Sequence, residues 1–128
     1  MQKTLLMDKY HICSKEIKKV DIEYTTTDQF IEYFLNKINE DKIAKFIGIF
    51  DHYEHTQSLE NGTIADSIKD AKNIVFCFGQ QIPNPLILSV RPRSIAVVEN
   101  EDSFTISFME APLAPMTQKM QNWVEELV

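Results

Sequence analysis

The chain has 128 residues, of which 44% are hydrophobic and 25% are charged, and its net charge is −6. This composition is typical of one folded domain, residues 1–128, and excludes a disordered chain. The acidic balance disfavours nucleic acid as a partner, because neutralising phosphates requires clustered lysine and arginine. No apolar run approaches the length of a signal peptide or a membrane span. We therefore expect a cytoplasmic protein without a membrane partner.

The first half of the chain predicts a strand, a helix, a second strand and a short helix. Residues 9–24 alternate between apolar and polar side chains, which predicts one long edge strand or a tight hairpin. Thr26 and Gln29 form a capping-box pair ahead of a helical apolar pattern, and they predict the first helix at 27–40. The apolar run at 44–52 predicts a central strand. Thr63 is a candidate N-cap for a further helix of two turns.

The second half predicts three strands, a helical turn and a last helix. The run "NIVFCFG" predicts a buried strand that ends at Gly79, and Cys77 within it is interpreted as an unreactive core thiol. Pro85 opens a predicted helical turn. The runs "RSIAVVE" and "SFTISFME" predict a hairpin, and Pro115 begins the last helix. The expected fold is α+β, with a four- to five-stranded, mostly antiparallel sheet and two main helices packed on one face.

Several short stretches carry a family resemblance. The runs "IAKFIGIFDH", "IVFCFG", "NPLIL" and "RSIAVVENEDSFTISFMEAP" resemble the bacterial domain-of-unknown-function family 302 over residues 25–128. The stretches "FDHY.HT", "DAKNI.FCFG", "NP" and "RPRSI" are more similar to a small uncharacterised bacterial family, domain of unknown function 6858. The resemblance implies an α+β fold with a curved antiparallel sheet, and a homodimer. It implies no reaction and no cofactor.

The first candidate site is the group Asp51, His52 and His55 at the end of the predicted central strand. The two histidines share a face only if the chain turns helical after His52, since side chains alternate along a strand. His11, Cys13 or Cys77 are the residues available to complete a metal site, but no metal-binding motif is present and no metal is predicted. The structural alternative is an aspartate that caps the following turn beside a hydrogen-bonded histidine.

The second candidate site is formed by Arg91 and Arg93, which flank Pro92 and are the only arginines among thirteen basic residues. Arginine is suited to bidentate recognition of carboxylate or phosphate, and lysine suffices on a solvated surface. The alternative is an ion pair, within the chain or between subunits, with Glu99, Glu101 or Glu110. The third candidate feature is Gly79, because a glycine at a strand end leaves backbone amides open to a ligand.

Together these patterns predict a protein without enzymatic activity that binds a small anionic ligand, and the family resemblance implies that it is a homodimer. The predicted ligand-binding residues are Asp51, His52, His55, Gly79, Arg91 and Arg93. They form a single site at one end of the sheet if the strand that ends at His52 neighbours the strand that ends at Gly79, and the sequence leaves this open. One alternative is a histidine- or metal-dependent enzyme, in which His52 or His55 carries the proton. Another is an interaction module whose partner surface is the last helix, which contains Trp123.

Overall fold

The computed structural model describes residues 1–128 as an α+β fold with one six-stranded sheet and three α-helices. The strands are β1 (Gln2–Leu6), β2 (Tyr10–Lys18), β3 (Lys45–Asp51), β4 (Asp70–Cys77), β5 (Arg93–Glu99) and β6 (Ser103–Met109). The helices are α1 (Thr27–Glu40), α2 (His52–Ser58) and α3 (Ala114–Glu125). Short 3₁₀ helices cover Lys19–Asp21 and Ile87–Val90. None of the helices combines the length and the apolar character needed to cross a bilayer.

The strand order is β1-β2-β6-β5-β4-β3, and every neighbouring pair is antiparallel. The antiparallel arrangement confirms the prediction, but the predicted count of four to five strands is wrong. Met7 and Asp8, both with positive φ, form the turn of a β1–β2 hairpin, and β2 lies inside the sheet between β1 and β6. This turn contains no glycine, so the usual sequence signal of a hairpin is missing.

The core lies between one face of the sheet and helices α1 and α3. Alternate residues of the strands project onto this face, where they meet the apolar stripes of the two helices. Seventeen buried hydrophobic residues form one cluster there. The cluster consists of Cys13, Ile17, Phe30, Ile31, Phe34, Ile38, Ile74, Phe76, Phe78, Ile95, Val97, Phe104, Ile106, Phe108, Met120, Trp123 and Val124. Helices α1 and α3 therefore pack on one face, as predicted, but the structure has three α-helices where two main helices were predicted.

Helix α1 begins and ends where the sequence predicts. Thr26 accepts a hydrogen bond from the backbone amide of Gln29, and the Gln29 side chain accepts one from the amide of Thr26, which completes the capping box. The hydroxyl of Tyr33 donates to the carbonyl oxygen of Trp123 at 2.5 Å. This bond ties α1 directly to α3.

Helix α2 corrects the prediction for the middle of the chain. The carboxylate of Asp51 accepts a hydrogen bond from the amide of Glu54 at 3.0 Å, so a helix starts at His52. The predicted helix after Thr63 is absent, and residues 61–69 contain only turns and irregular backbone. The N-cap in this region is therefore Asp51 and not Thr63. This helix and the segment after it face the side of the sheet opposite α1 and α3, against Ala71 and Ala96.

Candidate functional site

The structure places the two groups of predicted site residues at opposite ends of the sheet. In the β3–β4 pair, Asp51 is opposite Lys72 and Lys45 is opposite Cys77. The strand rise per residue puts positions 72 and 77 roughly 17 Å apart. His52 follows one end of this pair and Gly79 follows the other. The prediction of a single combined site is therefore wrong, because neighbouring antiparallel strands end at opposite edges of the sheet.

One end of the sheet carries a cavity of about 420 Å³, which we call the arginine cavity. Its walls come from the connection between β4 and β5 and from the segment that leads into α3. The lining residues are Cys77, Phe78, Gly79, Gln80, Gln81, Pro83, Ile87, Val90, Arg91, Arg93, Ala111, Pro112, Leu113, Pro115 and Met116. This set contains both arginines of the chain and no carboxylate. The lining is positive although the whole chain has a net charge of −6.

Arg93 is the most unusual residue of the cavity because it is a buried charge without an ionic partner. Its exposed fraction is 7%, and no carboxylate lies within ion-pair distance. The guanidinium donates to the carbonyl oxygens of Met109 at 3.1 Å and Val90 at 3.0 Å, and its Nε is buried without a partner. Burial lowers the pKa of Arg93, because loss of water disfavours the charged form. The group nevertheless stays protonated, since arginine is not deprotonated in proteins.

Arg91 lies two residues earlier, half-buried, with the extended backbone that is favoured for a residue before proline. Its side chain makes no hydrogen bond and no ion pair within the chain. The predicted alternative of ion pairing is wrong for the isolated chain. Glu99 is bound by Lys19 at 2.7 Å and Glu110 by Lys3 at 3.5 Å, so lysines bind two of the three carboxylates considered for the arginines, and Glu101 makes no ion pair.

Cys77 corrects the interpretation of a buried core thiol. It is half-buried and lines the arginine cavity, whereas Cys13 is fully buried. The alternation of side chains along β4 predicts this position, because Phe76 faces the core and the next residue, Cys77, must face the other side of the sheet. Gly79 lies beside it with φ +49°, and a Cβ at Gly79 would lie 3.4 Å from the Cys77 Sγ. Glycine at this position therefore permits both the turn and the open space next to the thiol.

Asp51, His52 and His55 lie at the other end of the sheet. The helical start at His52 brings both histidines to the ring of Phe50, with centroid distances of 5.1 Å and 5.5 Å. His52 also shares a hydrogen bond with Thr56 at 3.2 Å. Asp51 caps α2, as the structural alternative predicted, and makes no hydrogen bond or ion pair with either histidine. A shallower cavity of about 430 Å³ includes His52 but neither Asp51 nor His55.

The structure bears on one detail of each of the two alternative interpretations. No group of three histidine, cysteine, aspartate or glutamate side chains is placed to hold a metal ion, and neither histidine pairs with a carboxylate. Trp123 is buried to 7% exposure and contacts the rings of Phe76 and Phe78, with centroids 5.7 Å and 5.9 Å away. The indole is thus part of the core. It is not a partner surface.

Comparison with known families gives a match along the whole chain. A family model described as "Family of unknown function (DUF6858)" matches residues 1–128. The chain belongs to this family. No curated protein and no solved structure matches this DUF6858 protein. The arginine cavity is consequently interpreted from its own chemistry.

Proposed function

We propose that this DUF6858 protein binds a small anionic ligand with an apolar body in the arginine cavity. The observation that supports this most strongly is Arg93, a charge that is 7% exposed and has no carboxylate partner. A buried charge is costly unless an opposite charge or a set of hydrogen bonds compensates it. The two backbone carbonyls compensate only part of the guanidinium. An incoming carboxylate or phosphate supplies the missing negative charge.

The rest of the cavity supports the same class of ligand. Its volume of about 420 Å³ falls in the range of small-molecule sites, about 300–1,000 Å³. Arg91 adds a second positive charge without an internal partner. Apolar side chains, including Ile87, Leu113 and Met116, contribute to the wall beside the arginines. In a small acid with a hydrocarbon or aromatic portion, the acid group would pair with the arginines and the apolar portion would pack against these apolar side chains.

The test is a thermal-shift and calorimetric titration with a matched pair of ligands, phenylacetate and its neutral analogue phenylacetamide. Inorganic phosphate is added as an anion without an apolar body. We expect phenylacetate to stabilise the protein and to bind more tightly than the amide. Charge-assisted hydrogen bonds contribute about 1.5–3 kcal/mol, so Arg91→Gln should weaken binding about tenfold or more.

Matched variants separate a specific site from a general charge effect. Lys9→Gln removes one positive charge from an exposed position outside the cavity. Arg93→Lys keeps the charge but loses the planar fork. We expect full binding in Lys9→Gln and weak binding in Arg93→Lys. Equal affinities for acid and amide, or an equal loss in Lys9→Gln and Arg91→Gln, would contradict the proposal.

The homodimer and the cytoplasmic location remain proposals of the same kind. The sheet has two open edges, and exposed apolar residues lie on both edge strands: Leu5 and Leu6 on β1, Ile47 and Ile49 on β3. Unpaired edges with such residues favour pairing between chains. Sedimentation velocity at several concentrations tests the dimer. Fractionation of the source cells tests the location.

A further inference from the structure

Cys77 lies in the arginine cavity together with a buried charge. A lone cysteine is unremarkable, but here the thiol is half-buried and shares the cavity with a guanidinium that has no ionic partner. Arg91 lines the same cavity, so the thiol shares this surface with both arginines of the chain. An anionic reagent that enters the cavity is attracted by these two positive charges and is thereby brought close to the thiol.

We propose that Cys77 is a site of covalent modification by small anionic disulfides, which Arg91 and Arg93 draw into the arginine cavity. This inference rests on the proposed anion binding and extends it to a reaction. The Cys77 thiolate attacks one sulfur of the disulfide, a new sulfur–sulfur bond forms and the original one breaks. The leaving thiolate carries the electron pair away and takes a proton from water. Cys77 is oxidised to a mixed disulfide, and the reagent is reduced to one thiol.

The chain provides an internal comparison in Cys13. Cys13 is 0% exposed and its Sγ lies 4.0 Å from the Glu110 carboxylate and 3.7 Å from the Gln121 amide nitrogen. Burial, followed by the charge of Glu110, raises the pKa of Cys13. An anionic reagent is repelled from such a site and cannot reach it through the core. The two thiols of one molecule therefore differ in both access and charge: Cys13 is buried beside a carboxylate, and Cys77 lines a cavity with two arginines.

One consequence concerns the cavity itself. A mixed disulfide on Cys77 occupies the space that the anionic ligand would fill, so modification and ligand binding exclude each other. Phenylacetate should then protect Cys77, and phenylacetamide should not. Formation of the mixed disulfide at Cys77 would therefore switch off the proposed ligand binding, and reduction of the disulfide would restore it.

The experiment compares two disulfides, the anionic dithiodiglycolate and the neutral bis(hydroxyethyl) disulfide. The rate of modification at each cysteine is followed by peptide mass spectrometry, in the folded protein and in the urea-unfolded chain. Normalising to the unfolded chain removes the intrinsic difference between the reagents. For Cys77 in the folded protein we expect the preference for the anionic disulfide to rise about fivefold or more, and to fall as salt is added. Cys13 should stay unmodified.

The variants decide whether the arginines are responsible. Arg91→Gln should remove most of the preference, and Lys9→Gln should retain it. An unchanged preference on folding, the same preference in Arg91→Gln as in the parent protein, or faster modification at Cys13 would overturn the inference. Phenylacetate binding to Cys77→Ser distinguishes the two proposals. If Cys77→Ser binds phenylacetate but Cys77 in the parent protein shows no preference for the anionic disulfide, only the thiol inference fails. If Cys77→Ser does not bind phenylacetate and Cys77 shows no such preference, both proposals fail.

Discussion

The ammonium group of Lys72 lies 2.8 Å from the carboxylate of Asp70, two residues earlier on β4. The Thr27 hydroxyl connects the two groups, since it donates to Asp70 at 2.5 Å and accepts from Lys72 at 2.9 Å. Thr27 is fully buried and is the first residue of α1. Asp28 adds a further carboxylate 3.2 Å from Lys72. This network fixes the start of α1 to the strand that leads to the arginine cavity.

Replacing Lys72 should destabilise the protein. In Lys72→Met the Asp70 carboxylate, whose side chain is 26% exposed, loses its cationic partner. We expect a loss of about 1–3 kcal/mol in the free energy of unfolding, because a partly buried carboxylate loses its charged hydrogen-bond donor and keeps only Thr27 and the Ala71 amide. Urea denaturation measures the change. Lys69→Met, at an exposed position nearby, should change stability by less than about 0.5 kcal/mol, and a similar loss in both variants would argue against the network.

The contribution of Asp70 should disappear in acid. Burial alone would raise its pKa, but the hydrogen bonds from Lys72 and Thr27 outweigh burial and hold the pKa below its usual range. The ionised form is therefore favoured by folding, so its stabilisation is complete above about pH 4 and is lost as the pH falls through the lower folded pKa. The stability difference between the parent protein and Asp70→Asn should be constant at about pH 5–7 and shrink towards about pH 3. A difference that grows in acid would contradict this assignment.

Two glycines should respond differently to alanine. A Cβ at Gly62 would lie 2.0 Å from the Thr56 carbonyl oxygen at the end of α2, whereas a Cβ at Gly48 meets nothing within 4 Å. Gly62→Ala should cost about 1–3 kcal/mol, because the backbone has to move. Gly48→Ala should be neutral or gain up to about 1 kcal/mol, since glycine weakens a strand. Thermal unfolding of the two variants, side by side, provides the comparison, and equal melting temperatures would be the contrary result.

Removing the hydroxyl of Tyr33 should loosen the contact between α1 and α3. The hydroxyl donates to the Trp123 carbonyl oxygen, and burial raises the pKa of this phenol. Tyr33→Phe should lower the free energy of unfolding by about 0.5–1.5 kcal/mol. Tyr10→Phe serves as the control, since Tyr10 is 45% exposed. Chemical denaturation should show no change in the control, and a loss of equal size there would refute the role of this bond.

The sequence predicted the elements that have strong local signals. Helix α1 combines a capping box with a continuous apolar stripe, and the hairpin of β5 and β6 combines alternation with a polar turn. Helix α2 was missed because its cap, Asp51, closes an apolar strand and was considered as a site residue. The first hairpin was missed because Met7 and Asp8 make a left-handed turn without glycine.

The candidate site was predicted only in part. Arg91, Arg93 and Gly79 do line one cavity, because β4 and β5 pair so that Phe76 lies opposite Arg93. The histidines do not join them. Their inclusion required two consecutive strands to end at the same edge, which parallel pairing allows and antiparallel pairing forbids. The exposure of Cys77 was predictable from the alternation of β4, but the flanking phenylalanines suggested a core position.

The connection between β4 and β5 supplies much of the arginine cavity and very little of the interior. Within residues 78–92, only Phe78 is buried in the core. Substitutions along this stretch therefore change the lining of the arginine cavity and leave the packed layers intact. We expect this connection to vary more than the core within the DUF6858 family, so that the shape and charge of the cavity diverge faster than the architecture.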